Sequence, residues 1–114
     1  MADCLFCSIA AGDVPATVVY EDDLTVAFRD LNPQAPTHAL VIPRAHAPDV
    51  GTLAATMPEA LVAVHRAAAE VARSEGVADS GWRLVFNTGP GAGQTVAHVH
   101  GHVLGGRDLG WPPG

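Results

Sequence analysis

Lysine is absent from this 114-residue chain. All six basic residues are arginines, set against twelve Asp and Glu, for a formal net charge of −6. A protein that grips a nucleic-acid backbone carries a basic patch, so the charge balance argues against that partner. It leaves room for a small anion, because a few backbone amides and histidines can hold one phosphate in an acidic protein. No apolar run approaches the ~18 residues of a membrane span. The opening "MADCLFCSIAAGDVP" has no cationic stretch and carries Asp3 early. That start argues against a secretory signal and predicts a cytoplasmic protein with no membrane partner. Cysteine is scarce too, with Cys4-x-x-Cys7 the whole supply. Without a sign of export, the two read as a redox or metal pair rather than a structural disulfide. Repeats, linkers and low-complexity blocks are also missing. With 48% apolar and 16% charged residues, the chain reads as one globular domain over residues 1–114.

What is present alternates strand and helix signals. "SIAAG" predicts a short helix stopped by Gly12. "ATVVYED", "LTVAFRDL" and "HALVIP" are β-branched, apolar runs broken by "EDD" and "NPQAPT", and they predict successive strands. One long helix is expected from Thr56 to Glu75. Thr56 and Glu59 have capping-box spacing, Pro58 suits a first turn, and Gly76 suits a stop. Leu61, Val64, Ala68 and Val71 form its apolar stripe, with His65 beside it as a structural histidine. "WRLVFN" and "HVHGHVL" predict two more strands, joined by the glycine-rich turn "TGPGAGQT". The order predicts an α+β domain, with a mostly antiparallel five-stranded sheet and one long and one short helix.

The chemistry concentrates at the end of that order. His98, His100 and His102 recur at every second residue, so a strand would carry all three on one face. Two readings fit this spacing. Neighbouring imidazoles can ligate one metal ion, or a neutral imidazole can attack phosphorus or carbon and form a covalent intermediate. The turn before them favours an anionic ligand. Gly89, Gly91 and Gly93 would free backbone amides to converge on one oxygen, and Gln94 and Thr95 would add donors. The turn lacks the Gly-Lys-Ser/Thr of a P-loop.

"HVHGHVL" is similar to the His-x-His-x-His-x-x pattern of the histidine-triad (HIT) nucleotide-binding superfamily. "YEDD", "AFRDLNPQAPTHALVIPRAH", "GQTVAHVHGHVLGGR" and the final "WPPG" resemble its Hint branch, so that the likeness spans nearly the whole chain. The resemblance implies a HIT-like fold whose sheet extends across a homodimer. It also implies hydrolysis of purine nucleoside phosphoramidates, derivatives of AMP and GMP, to the monophosphate and an amine. His100 matches the nucleophile that forms a nucleotidyl-histidine, His38 the histidine that orients it, and His102 a contact to the α-phosphate. Asn87, Gly93 and Thr95 match further phosphate contacts, and Asp30 the carboxylate that holds the ribose hydroxyls. Leu5, Phe6, Ile9, Phe28 and Leu31 match an apolar base pocket. Trp111, in the tail, is matched to the edge of the partner subunit's site, where it shapes leaving-group preference.

The same resemblance gives the cysteines a role. Cys4, Cys7, His46 and His98 match a structural zinc set, and Cys₂His₂ is a closed tetrahedral set with no open position for chemistry. His98 would then face zinc while His100 and His102 face the ligand. Gly101 departs from the resembled pattern, which usually has an apolar side chain there, and its absence implies looser packing behind the strand. Ala97 and Gly110 replace larger groups of some relatives, so leaving-group preference does not carry over. Three rivals stay open: a dinucleoside-polyphosphate hydrolase with the same histidines, a nucleotide- or zinc-binding regulatory module without turnover, and a metal-dependent oxygenase or hydrolase centred on His98 and His100. The last lacks a nearby carboxylate in a ligand position.

Overall fold

A computed structural model describes residues 4–114; Asp3, used above to read the N-terminus, lies outside the described residues. The elements run α1 (Leu5–Ala10), β1 (Val18–Glu21), β2 (Thr25–Arg29), β3 (Thr37–Pro43), α2 (Val50–Thr56), α3 (Pro58–Ser74), β4 (Trp82–Phe86), a 3-10 turn (Pro90–Ala92) and β5 (Gly101–Gly105). The five strands form one sheet in the order β1-β2-β3-β5-β4, with every pairing antiparallel. The expected α+β class and five-stranded sheet are therefore present.

Period-two alternation splits the sheet into two faces. Ala27, Ala39, Val41 and Val103 point to one face and pack against Ala60, Val64, Ala67, Ala68 and Val71 of α3. Val26, Phe28, Leu40 and Ile42 point to the other, where Phe6 of α1 covers them. Small residues on the first face let the long helix lie close. The second face is only partly roofed by the six residues of α1. That open side is where the histidines lie. Among the described residues, no helix is long and apolar enough to cross a membrane.

Four local expectations are corrected. The long helix is present as α3, but a second short helix, α2, which the sequence did not announce, precedes it. Asp49 caps α2 by accepting the Thr52 amide at 2.8 Å, and α3 starts at Pro58. Thr56 and Glu59 form no capping box. The Thr56 hydroxyl bonds back to the Thr52 carbonyl at 2.7 Å, and Met57 is the cap of α3 without a side-chain bond. Proline at the first helical position needs no donor partner, so the long helix begins there regardless. The stop is as expected: Gly76 follows the last turn with φ +78°.

The histidine strand is also shorter than "HVHGHVL" predicts. The chain bends at Val96–His98, and pairing with β3 and β4 begins only at Gly101. Nor is the strand loosely packed at Gly101. A Cβ there would meet Leu84 Cδ1 at 2.7 Å and the Phe86 ring at 3.1 Å, so β4 side chains already fill that volume.

Candidate active site and metal cluster

The bend at residues 96–98 sends the first histidine away from the other two. His98 is fully buried, and its Nε2–H donates to the Pro43 carbonyl at 3.0 Å. A carbonyl only accepts, so the proton sits on Nε2 and the Nδ1 lone pair is free. Three groups surround that lone pair: Cys4 Sγ at 3.3 Å, Cys7 Sγ at 3.4 Å and His46 Nδ1 at 3.2 Å. All four ligand atoms lie within 4.8 Å of one another. A tetrahedral zinc with bonds of ~2.0 to ~2.3 Å places its donors roughly 3.3–3.8 Å apart, close to this spacing. Burial and the Cys4 thiol push the Cys7 thiol up from its ordinary value, so the two sulfurs repel as thiolates unless a cation sits between them. The bond to the Pro43 carbonyl fixes the ring of His98 in the orientation a ligand needs. The residues fit a structural metal ion.

His100 and His102 take the opposite direction. His100 is 8% exposed, and its Nδ1–H donates to the main-chain carbonyl of His98 at 2.8 Å. Its Nε2 therefore carries a lone pair. The ring lies 5.1 Å from that of His102 and 5.1 Å from that of Phe6, the latter edge-to-face. Antiparallel register sets His102 opposite Leu40 and His38 opposite Leu104, which makes the two histidines diagonal neighbours on the open face.

Here the expected partnership of His38 is corrected. Its Nε2 lies 2.9 Å from His102 Nδ1, and it is His102, not His100, that it orients. The Gln34 amide donates to His38 Nδ1 at 3.0 Å, which puts the His38 proton on Nε2 and directs it at His102. His102 is left with its proton on Nε2, a donor toward the open face. Burial pushes His102 down to about 4, with His100 and His38 adding to the effect and Asp30 opposing it. Burial likewise lowers His38 against the pull of Asp30, whose Oδ2 is 3.4 Å from Nε2. Asp30, His38 and His102 also bring three ligand atoms within 4.8 Å. The His38 Nε2 there is protonated, so this group is a hydrogen-bond chain rather than a cation site.

Beside the chain lies a cavity of about 200 Å³ lined by Leu5, Phe6, Ile9, Phe28, Asp30 and Leu31. Every proposed base-pocket residue and the ribose carboxylate thus share one hollow. Sequence reasoning missed Pro15, Ala16, Thr17, Arg29 and Leu40 on its wall. Leu40 was recoverable, since it follows His38 by two residues in β3 and must share its face.

The glycine-rich turn behaves differently from expectation. Its amides do not converge on an external oxygen. The Gly89 amide donates to Gln94 Oε1 at 2.9 Å, and the Gly93 amide to the Pro90 carbonyl at 3.1 Å. Gln94 is spent as well, with its Nε2 donating to Pro48 and Val96 carbonyls at 2.6 and 3.0 Å. The Ala92 and Gln94 amides likewise donate to the Gly89 carbonyl, so the turn closes on itself. Thr95 is exposed, and Asn87, one residue beyond β4, falls level with His100 if the strand register is continued. Trp111 is 83% exposed and lies 6.0 Å over the Arg83 guanidinium, not at the cavity. His65 is an exposed helix residue, with Nδ1 on the Leu61 carbonyl at 3.0 Å.

Residues 11–109 match the HIT domain family. The chain belongs to that family. Among curated proteins, it is 46% identical over 106 residues to the purine nucleoside phosphoramidase of Escherichia coli strain K12, covering 93% of this chain and 89% of that one. It is 46% identical over 112 residues to a 14 kDa zinc-binding protein of Zea mays, covering 96% and 87%. A HIT family hydrolase from Legionella pneumophila superposes with a TM-score of 0.93 at 49% identity, covering 98% of this chain and all of that one. A histidine triad protein from Clostridium difficile superposes at 0.91 with 39% identity and 96% coverage of both.

Proposed function

We propose that this HIT protein hydrolyses purine nucleoside phosphoramidates through a nucleotidyl-histidine intermediate on His100. The observation that carries the reading is the commitment of His100 Nδ1–H to the His98 carbonyl, beside a cavity lined by apolar side chains and Asp30. Nε2 of His100 attacks the α-phosphorus, the P–N bond to the amine breaks, and the amine leaves with a proton from water. Water then attacks the phosphorus, the bond to His100 breaks, and nucleoside monophosphate departs. His102, protonated on Nε2, donates to an α-phosphate oxygen, with His38 holding its ring. Asp30 takes the ribose hydroxyls, and Leu5, Phe6, Ile9, Phe28 and Leu31 take the base. Asn87 and Thr95 are the further phosphate contacts in this reading; Gly93, whose amide is spent on the Pro90 carbonyl, is not. The similarity to the named phosphoramidase supports the substrate class.

Cys4, Cys7, His46 and His98 hold a structural zinc ion in this reading. It supplies no chemistry to the reaction and ties the chain's start to the segment before β5. A homodimer is also part of it. β4 is an edge strand whose side chains are all half-buried, and pairing with a second copy would extend the sheet. The exposed Trp111 would then reach the partner's site. Light scattering at micromolar concentration is expected to give twice the chain mass. Deleting residues 110–114 should change selectivity among phosphoramidates more than it changes unfolding.

The deciding experiment compares hydrolysis of an adenosine phosphoramidate with that of a diadenosine polyphosphate. Faster phosphoramidate turnover and a trapped adduct on His100 are expected. Preference for the polyphosphate would assign the rival hydrolase, and an adduct on His98 or His102 would move the nucleophile.

A further inference from the structure

The metal cluster and the base cavity are built on opposite sides of one six-residue helix. Cys4 caps α1 and Cys7 lies one turn on, while Leu5, Phe6 and Ile9 of the same helix line the cavity. A helix this short is not stable by itself, so contacts at its two sides decide whether it is ordered. Phe6 is its one buried residue. Its ring packs edge-to-face on Phe28 of the cavity at 5.5 Å, on His100 at 5.1 Å and on the metal-cluster residue His98 at 6.0 Å. At the far end, Arg44 Nη1 donates to the Ala10 carbonyl at 3.0 Å. That bond, with Ile9 and Ala10 packed on the core of this face, holds the C-terminal end, while the cysteine end adjoins the metal cluster.

From this placement we infer that metal and nucleoside binding are thermodynamically linked through α1, each strengthening the other by the same factor. The inference rests on the cavity holding a nucleoside, as proposed above. A metal ion bound by Cys4 and Cys7 orders α1, so the nucleoside meets a finished wall and no longer bears the ordering entropy. Occupation of the cavity orders the same helix and so presents both thiolates to the metal. Linkage requires the two effects to be equal in free energy.

The test uses adenosine, which carries no phosphate to capture free zinc. Its affinity is measured by calorimetry on zinc-loaded and zinc-free protein, and zinc affinity by competition with a chromophoric chelator with and without adenosine. Both ratios should be at least about fivefold and equal within error, the lower end of common coupling strengths. Phe6→Leu should bring both ratios toward one, whatever it does to either affinity alone. Amide exchange separates this route from general loosening. Removing zinc should speed exchange of the Ser8, Ala11 and Gly12 amides, which bond within α1 and its cap, and leave α3 unchanged. Equal adenosine affinities with and without zinc would overturn the linkage and spare the proposed function. Adenosine binding to neither form would overturn both, and faster exchange throughout the chain would overturn the local route through α1.

Discussion

Two clusters of titratable side chains meet the chain four residues apart, one at His98 in the bend before β5 and one at His102 within it, and their chemistry diverges. Cys4, Cys7, His46 and His98 converge on a lone pair, whereas Asp30, His38 and His102 are threaded by protons. The side-chain inventory does not separate them, because each group holds imidazoles and an anionic or potentially anionic partner. Main-chain groups do. The Pro43 carbonyl takes the Nε2 proton of His98 and turns its Nδ1 into a ligand. The Gln34 amide fills Nδ1 of His38 and turns its Nε2 into a donor. One accepting and one donating backbone group thus give the same residue type opposite roles.

The largest effect should come at His100, which hangs between the two groups. His100→Asn removes the lone pair and should reduce phosphoramidate turnover by at least about a thousandfold, or about 4 kcal/mol in the barrier. Thermal unfolding should stay close to that of the unaltered protein. Loss of less than tenfold would place the covalent step elsewhere.

Next, the metal cluster separates from the proton chain by content. Cys4→Ser/Cys7→Ser should fall from one zinc per chain to nearly none by elemental analysis, and its melting temperature should drop by about 5 °C or more. Asp30→Asn should keep its zinc. If both variants lose it, the metal cluster and the proton chain are not independent.

A smaller effect belongs to His38. Because it positions His102 rather than the nucleophile, His38→Ala should slow turnover by about ten- to a hundredfold, well short of the His100 variant. His38→Gln should recover part of the loss through its amide donor. Equal losses at positions 38 and 100 would restore the direct partnership read from the sequence.

The smallest effect is on stability against pH. Above pH 6.5 His102 is neutral both folded and unfolded and contributes nothing. As pH falls from 6.5 toward about 4, the unfolded chain binds a proton that the folded site refuses, so stability declines. Below that range this group adds no further loss. Urea unfolding at pH 7.5 and pH 5 should show the decline, and His102→Asn should make it shallower. An identical slope would assign the decline to His38 or to the metal cluster instead.

Much of this arrangement was legible in the chain. Cys4-x-x-Cys7, His46 and His98 were read as one set, and the structure brings their ligand atoms together. The base-pocket residues and Asp30 also gather in one hollow. The pairing of His38 was carried over from the resembled family, whereas the register of β3 and β5 sets it diagonal to His102; the histidine strand itself was read as starting three residues too early. A bend has no periodicity to announce it. The turn amides were misread for a related reason, since glycine licenses many conformations and does not say whether the amides face a ligand or each other. α2 escaped notice because Thr56 and Glu59 have capping-box spacing across what is really a junction at Met57.

Gly101 has a bearing on how such a chain diverges. Its missing side chain and the large ones at Leu84 and Phe86 are alternative tenants of one volume, with a Cβ at 101 only 2.7 Å from Leu84 Cδ1. The two substitutions that exchange them are therefore ordered in time. Enlarging position 101 first forces a clash against a packed strand. Shrinking Leu84 first leaves a void in a half-buried place, which costs about 1–3 kcal/mol and is repaid when position 101 fills it. Lineages that carry a side chain at 101 should then carry a smaller one at 84 or 86, and they should have acquired the smaller residue first.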